Sequence, residues 1–177
     1  MNIEEIRALR REKDQFFKAS PHSPLSPEQQ DVFAGLSYYE PNEALDLVVT
    51  VEPLPPGNNE IVIETTSGDV RRYQRYGRFS FTVEGQAVQL TIYEAPHGYF
   101  LPFMDANAGS ETYSAGRYLE PEALEGGQFH VDFNAAYNPY CTYGSGWSCP
   151  ITPAENRLTV AIQAGEKNPT GDWVEHE

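Results

Sequence analysis

Most side chains that could bind a ligand or transfer a proton lie in two irregular stretches of the sequence. The first is PFMDANAGSETYSAGRYLE, residues 102–120, and the second is residues 132–157, which contains both cysteines. The acidic candidates in and beside these stretches are Asp105, Glu111, Asp132 and Glu155. Two carboxylates held close together raise the pKa of one of them, which provides an acid and a base. Carboxylate oxygens are also the ligands that hard cations prefer.

The same stretches carry one arginine, several amides and several tyrosines. The planar guanidinium group of Arg117 could grip a carboxylate of a ligand, or that of Glu111, through two parallel hydrogen bonds. Rings with a polar tip suit the lining of a small-molecule pocket. The remaining ligand-binding candidates are Tyr113, Tyr118, Asn134, Tyr137, Asn138 and Asn156. Asp and Asn side chains also bond to the backbone of their own loops, so a purely structural role stays open for each of them.

The two cysteines, Cys141 and Cys149, flank a loop rich in glycine and serine. They could form a disulfide in oxidising surroundings or stay as a pair of buried thiols. Their spacing is too wide for a C-x-x-C zinc or redox motif, and only His130 lies near them in the sequence. The sequence therefore identifies neither a metal nor a cofactor.

Two helices are predicted ahead of the strands. Asn2 can cap the first helix with Glu5 three residues later, and Ser20-Pro21 ends it. The second begins at SPEQ, residues 26–29, with serine as the cap and proline at the first helical position. We expect both helices to cover a sheet.

From Leu45 onward the apolar residues alternate with polar ones, as in half-buried strands. The clearest hairpin lies in RFSFTVEGQAVQLTIYEA, where Gly85-Gln86 suits a two-residue turn. This turn pairs Val83 with Val88, and each further pair on that face is also apolar: Phe81 with Leu90 and Phe79 with Ile92. Further strands are predicted at residues 98–103 and 129–133, and the last at 158–162.

These elements predict a mainly β protein, an antiparallel barrel or sandwich preceded by one or two N-terminal helices. We expect a single domain over residues 1–177. Within it a helical segment, residues 1–36, packs on a β domain, residues 44–165, and residues 166–177 form a flexible tail.

Composition narrows the classes of partner. The chain has 26 acidic and 12 basic residues and a formal net charge of −14, so its surface repels phosphate backbones and nucleic-acid binding is not expected. The sequence contains no apolar run long enough for a membrane span, and its charged N-terminus lacks the apolar stretch of a secretory signal. We expect a cytoplasmic protein without membrane contact. The sequence does not indicate its oligomeric state.

Several long motifs resemble one protein family. PFMDANAGSETYSAGRYL, DFNAAYNPYC and CPITPAENRL, together with RREKDQFF and GLSYYEP nearer the N-terminus, are similar to the bacterial and archaeal family known as domain of unknown function 1684. The first motif of that family usually reads Asp-x-Thr, and here Asn107 replaces the threonine. The resemblance implies a shared fold and candidate positions, and no particular chemistry.

We expect the domain to bind a small polar ligand or a metal ion in a pocket between the stretches 102–120 and 132–157. One alternative is an enzyme, for example a hydrolase, that uses the same carboxylates and Arg117. Another is a structural or partner-binding module without a small-molecule site, in which these side chains only hold the loops together.

Overall fold

A computed structural model describes residues 1–174 of the chain. It begins with two helices, α1 (Ile3–Ala19) and α2 (Pro27–Val32). Oδ1 of Asn2 accepts the backbone N–H of Glu5 at 3.1 Å, and Ser26 forms a reciprocal capping box with Gln29. The caps predicted from the sequence are confirmed. Over residues 1–174 no helix has the length and apolar character needed to cross a bilayer.

Within residues 1–174, nine antiparallel strands follow the helices, and they form two sheets. The strands are β1 (Asp46–Thr50), β2 (Glu52–Pro53), β3 (Glu60–Glu64), β4 (Val70–Val83), β5 (Gln86–Ala95), β6 (Gly98–Phe103), β7 (Arg117–Leu119), β8 (Glu122–Ala123) and β9 (Gln128–Asp132). The smaller sheet has the order β1-β9-β8. The larger has the order β2-β4-β5-β6-β7, with β3 also paired to β4. The chain changes sheet at Val51, between β1 and β2.

Both sheets contribute to one hydrophobic core. Leu90, Ile92 and Leu101 of the larger sheet are fully buried beside Phe129 and Val131 of the smaller one. A second cluster joins the helices to the C-terminal part of the chain and consists of Phe17, Leu25, Phe33, Tyr143 and Trp173. The prediction of a mainly β, antiparallel fold preceded by helices is confirmed. Among the described residues the strands form two sheets and no closed barrel.

The register of the β4–β5 hairpin differs from the predicted one. The turn is Glu84-Gly85, with φ of 48° and 81°, so Val83 pairs with Gln86 and Phe81 with Val88. The predicted pairing of Val83 with Val88 is therefore wrong by two residues. A shift of two keeps every side chain on the same face of the sheet, which is why the apolar pattern alone could not exclude it.

Two expectations about the C-terminal quarter also need correction. Residues 158–162 form no strand, although Val160 and Ile162 are buried as their alternation suggests. The described part of the predicted tail is held to the domain at Glu166 and Trp173, which are each only 2% exposed, while residues 170–172 between them are exposed. Residues 175–177 of that expected tail lie outside the described residues.

Candidate functional site

The stretches 102–120 and 132–157 lie side by side, and a cleft opens where the end of the first meets the second. Its volume is about 560 Å³. We call it the aromatic cleft, and it is lined by Lys13, Arg71, Tyr118, Glu120, Tyr137, Asn138, Pro139, Tyr140, Trp147, Ser148, Cys149 and Pro150. Three of the predicted ligand-binding residues are among them: Tyr118, Tyr137 and Asn138.

A pair of backbone hydrogen bonds fixes the two tyrosines in the cleft wall. The N–H of Tyr118 donates to the carbonyl of Tyr137 at 2.8 Å, and the N–H of Tyr137 donates back at 3.0 Å. The hydroxyl of Tyr118 donates to the carbonyl of Pro150, and that of Tyr137 donates to Glu120 at 2.8 Å. Burial raises the pKa of both phenols, and Glu120 raises that of Tyr137 further. Both therefore remain protonated donors at neutral pH.

The rim of the aromatic cleft carries more exposed groups. The ring of Trp147 is 41% exposed and meets the ring of Tyr140 edge-on at 5.2 Å between centroids. Nη2 of Arg71 donates to the carbonyl of Ser148 at 2.7 Å, which holds the β4 guanidinium group against this loop. A flat apolar surface and a cation therefore stand together at the mouth.

Asn138 supplies an unpaired acceptor. The residue is 1% exposed, and its amide nitrogen donates to the hydroxyl of Tyr143 at 3.2 Å and to the carbonyl of Lys167 at 3.0 Å. Its carbonyl Oδ1 is buried and accepts no hydrogen bond from any residue between 1 and 174. A buried carbonyl without a donor is costly, so this atom would gain from a ligand that offers an N–H or O–H group.

Lys13 connects α1 to the interior beside the cleft. Its ammonium group forms an ion pair with Glu166, whose side chain is 2% exposed. The same carboxylate accepts the backbone N–H of Asn138 at 3.1 Å and the hydroxyl of Tyr143 at 2.9 Å. Glu166 is thus saturated with donors, and the charge of Lys13 is compensated.

Asp105 and Arg117 lie in the interior and not on the wall of the cleft. Arg117 is 1% exposed and donates to the carbonyls of Ile162, Ala164 and Glu166. Asp105 accepts the hydroxyl of Thr112 and the N–H of Ile162, each at 2.8 Å. Desolvation by burial lowers the pKa of Arg117, partly offset by the charge of Asp105. This pair holds residues 162–166 in place, which corresponds to the structural alternative stated above.

Glu155 and Asn156, near the end of the second stretch, also hold parts of the chain together. Burial alone would raise the pKa of Glu155, but hydrogen bonds from Tyr93 and Arg75, with the charges of Arg75 and Arg78, lower it overall. Asn156 is fully buried and bonds to the backbone of Thr91 through both ends of its amide. Two arginines of β4 form ion pairs with Glu155, Arg75 at 2.9 Å and Arg78 at 3.5 Å.

The remaining predicted site residues do not line the aromatic cleft. Glu111 is exposed and accepts the hydroxyl of Tyr39 at 2.9 Å. Burial of Tyr39 and this hydrogen bond raise the pKa of Tyr39 to about 12. Tyr113 is half-buried. Asn134 bonds to the backbone of Asn42 and to Asp132. The predicted carboxylates are therefore held by separate sets of neighbours.

Cys141 and Cys149 are free thiols. Burial, followed by a hydrogen bond with Cys141, raises the pKa of Cys149 to about 11. The thiol of Cys141 donates to the carbonyl of Trp147 at 3.3 Å.

Sequence reasoning missed Lys13, Arg71 and Glu120 as lining residues. Lys13 and Arg71 lie far from both stretches in the sequence, so no local motif could join them to the cleft. The one available signal was charge, because Lys13 is one of only 12 basic residues in an acidic chain.

These features define a mainly β domain of two antiparallel sheets with helices at its N-terminal end. The chain belongs to the family described as Protein of unknown function (DUF1684), whose profile matches residues 31–167. It is similar to an uncharacterized protein of Haloarcula marismortui with a solution NMR structure, at 35% identity and a TM-score of 0.66 over 93% of this chain and 92% of that chain. No curated protein matches the chain.

Proposed function

We propose that this domain binds a small ligand in the aromatic cleft, and that the ligand has a flat ring and an anionic group. The observation that carries the proposal is one cation at the mouth of the cleft, Arg71, which forms no ion pair with any described residue. The other cation of the lining, Lys13, is paired with Glu166, so Arg71 is the group that can attract an anion.

Arg71 is the group best suited to meet the anion. Lys13 is neutralised by Glu166, and the carboxylate of Glu120 already accepts the Tyr137 hydroxyl. Arg71 bonds to the Ser148 carbonyl and forms no ion pair with any residue of the described part of the chain. Its remaining N–H groups are free to bind a carboxylate or phosphate in a fork.

The aromatic groups of the cleft favour a flat ring as the other part of the ligand. The rings of Tyr140 and Trp147 supply exposed apolar area at the mouth, and aromatic faces pack well on planar groups. Asn138 lines the same cleft, and its unpaired Oδ1 would accept a donor of the ligand that reaches this depth. The volume of about 560 Å³ falls in the usual range for small-molecule sites.

Calorimetric titration with naphthoate, a flat aromatic carboxylate, tests the proposal. Arg71→Gln should weaken binding about tenfold, because a hydrogen bond to a charged group contributes about 1.5–3 kcal/mol. Trp147→Ala should weaken it as well by removing the ring surface. The matched control is Arg72→Gln, since Arg72 is the next residue on β4, points to the opposite face and pairs with Glu60 at 2.6 Å.

A second ligand distinguishes the contribution of charge to binding from that of ring packing. Naphthylmethylammonium has the same ring with the opposite charge, and we expect it to bind more weakly than naphthoate. The proposal fails if naphthoate shows no saturable binding. It also fails if the ammonium compound binds as tightly, or if Arg71→Gln and Arg72→Gln have equal effects.

A further inference from the structure

One histidine and two aspartates meet on the smaller sheet, outside the lining of the aromatic cleft. The ligating atoms of Asp46, His130 and Asp132 all lie within 4.8 Å of one another. Nε2 of His130 is 2.6 Å from Oδ1 of Asp46. All three side chains are partly exposed, so an ion from solvent can reach them.

The strand register brings these residues together. Asp46 of β1 lies directly opposite Asp132 of β9, and the next pair on the same face is Val48 with His130. Val48 is 59% exposed, whereas Val131 between the two β9 ligands is fully buried, so this face points to solvent. Glu122 of β8 pairs with His130 from the other side. Three carboxylates and one imidazole therefore share a single face of a three-stranded sheet.

The carboxylates of Asp46 and Asp132 disfavour this pairing, because like charges directly opposite each other destabilise a sheet. Within the described part of the chain, only one oxygen of the Asp132 carboxylate accepts hydrogen bonds. Its Oδ1 accepts the backbone N–H and the amide of Asn134, each at 2.9 Å, and its Oδ2 accepts no hydrogen bond from residues 1–174. Oδ2 of Asp46 forms an ion pair with the α-ammonium of Met1 at 3.9 Å.

A cleft beside the cluster provides room for an ion and its water ligands. Its volume is about 310 Å³, and its lining includes Glu120, Glu122, His130 and Asp132. This observation is independent of the hydrogen bonds within the cluster. It shows that His130 and Asp132, two of the three ligands, border open space.

We propose that Asp46, His130 and Asp132 bind one divalent transition-metal ion of the Zn²⁺ type, with water in the remaining positions. Imidazole with carboxylates suits Zn²⁺ better than Mg²⁺ or Ca²⁺, which take oxygen ligands. Ligands of a tetrahedral zinc site lie roughly 3.3 Å apart, so a small side-chain rotation closes the site. Nε2 of His130 must coordinate through its lone pair, so the proton it shares with Asp46 moves to Nδ1 or to solvent when the ion binds.

Calorimetric titration of the whole chain with Zn²⁺ tests this site. We expect one ion per chain in the wild type and an affinity at least about 10- to 100-fold lower in His130→Asn. His97→Asn is the matched control, because His97 is exposed in the β5–β6 turn and belongs to no such cluster. Asp132→Asn should also weaken Zn²⁺ binding, and its Oδ1 can still accept the Asn134 N–H, which preserves the loop.

Two further measurements make the result decisive. Co²⁺ in place of Zn²⁺ should give visible absorption bands that are lost in His130→Asn and kept in His97→Asn. Titrations with Mg²⁺ and Ca²⁺ show whether the acidic surface simply attracts cations. The proposal is overturned if Zn²⁺ does not saturate one site, if His130→Asn leaves the affinity unchanged, or if Mg²⁺ or Ca²⁺ binds as tightly as Zn²⁺. Circular dichroism of each variant confirms that its fold is intact.

Discussion

Nη2 of Arg117 lies 3.6 Å from Oδ2 of Asp105, and each of the two side chains is only 1% exposed. Both also bond to the backbone of residues 162–166. The cation and the anion therefore compensate each other inside the protein while they fix a segment that has no strand of its own. Breaking such a pair destabilises the folded protein strongly, because removal of one partner leaves the other charge buried and uncompensated.

Arg117→Met should lower the free energy of unfolding by about 3–5 kcal/mol. It removes the hydrogen bonds to residues 162–166 and leaves the buried charge of Asp105 without a partner. Urea unfolding at neutral pH measures this change. Arg7→Met is the control, because Arg7 is 52% exposed and pairs only with Glu4, so its loss should cost less than about 0.5 kcal/mol. Similar losses for the two variants would contradict the assigned role of Arg117.

Glu155 should make stability depend on pH in the acid range. Because its pKa is lower in the folded state than the ordinary value of 4.5, its contribution is fully present above pH 4.5 and fades as the pH falls through the folded value. Glu155→Gln should therefore cost about 1–2 kcal/mol at neutral pH and progressively less in acid. Unfolding free energies measured from neutral pH down to the acid range test this. Glu12→Gln, at an exposed position of α1, is the control and should cost less than about 0.5 kcal/mol at neutral pH.

Gly116 should tolerate no side chain. Its φ is +103°, and a Cβ atom there would lie 2.1 Å from Oγ1 of Thr152 and 2.8 Å from the carbonyl oxygen of Phe103. Gly116→Ala should lower the free energy of unfolding by more than about 2 kcal/mol, which combines backbone strain with displacement of the neighbouring strand. Gly109→Ala isolates the strain, because Gly109 has φ of +88° and nothing within 4 Å of the added Cβ. Equal losses in the two variants would show that the close contacts do not matter.

Cys149 should react slowly with alkylating reagents. Because its pKa is raised to about 11, only a small fraction is thiolate near pH 8, and the thiolate is the nucleophile. Its rate of reaction with iodoacetamide, followed by peptide mass mapping, should rise as the pH approaches 11. In urea the residue should react like an ordinary free thiol. Rapid alkylation of Cys149 in the folded protein at pH 8 would contradict this assignment.

The parts of the fold that could be predicted from the sequence are those decided locally. Asn2 and Ser26 cap their helices because a cap needs only neighbouring residues. The β4–β5 register was mispredicted because Gly85 can stand first or second in a two-residue turn, and both choices keep the apolar face together. In the structure Gly85 is second, and Glu84 adopts the positive φ that this turn requires.

The proximity of the two polar stretches was predictable from the sequence, whereas the directions of their side chains were not. The two polar stretches do lie side by side, and Tyr118 and Tyr137 line the cleft between them. Whether Asp105 points inward or outward depends on residues 162–166, which lie more than fifty positions further along the chain. The sequence pattern carries no information on that contact. The same holds for Arg71, which reaches the cleft from β4.

The dependence of Arg117 on residues 162–166 has a consequence for how the protein is made. A ribosome completes Arg117 well before it adds the three carbonyl acceptors on Ile162, Ala164 and Glu166. Until those residues emerge, the guanidinium group must stay hydrated, and the interior around it cannot close. Nascent chains that stop short of Ile162 should therefore remain open to proteases, and the emergence of residues 162–166 would complete the packing around Arg117.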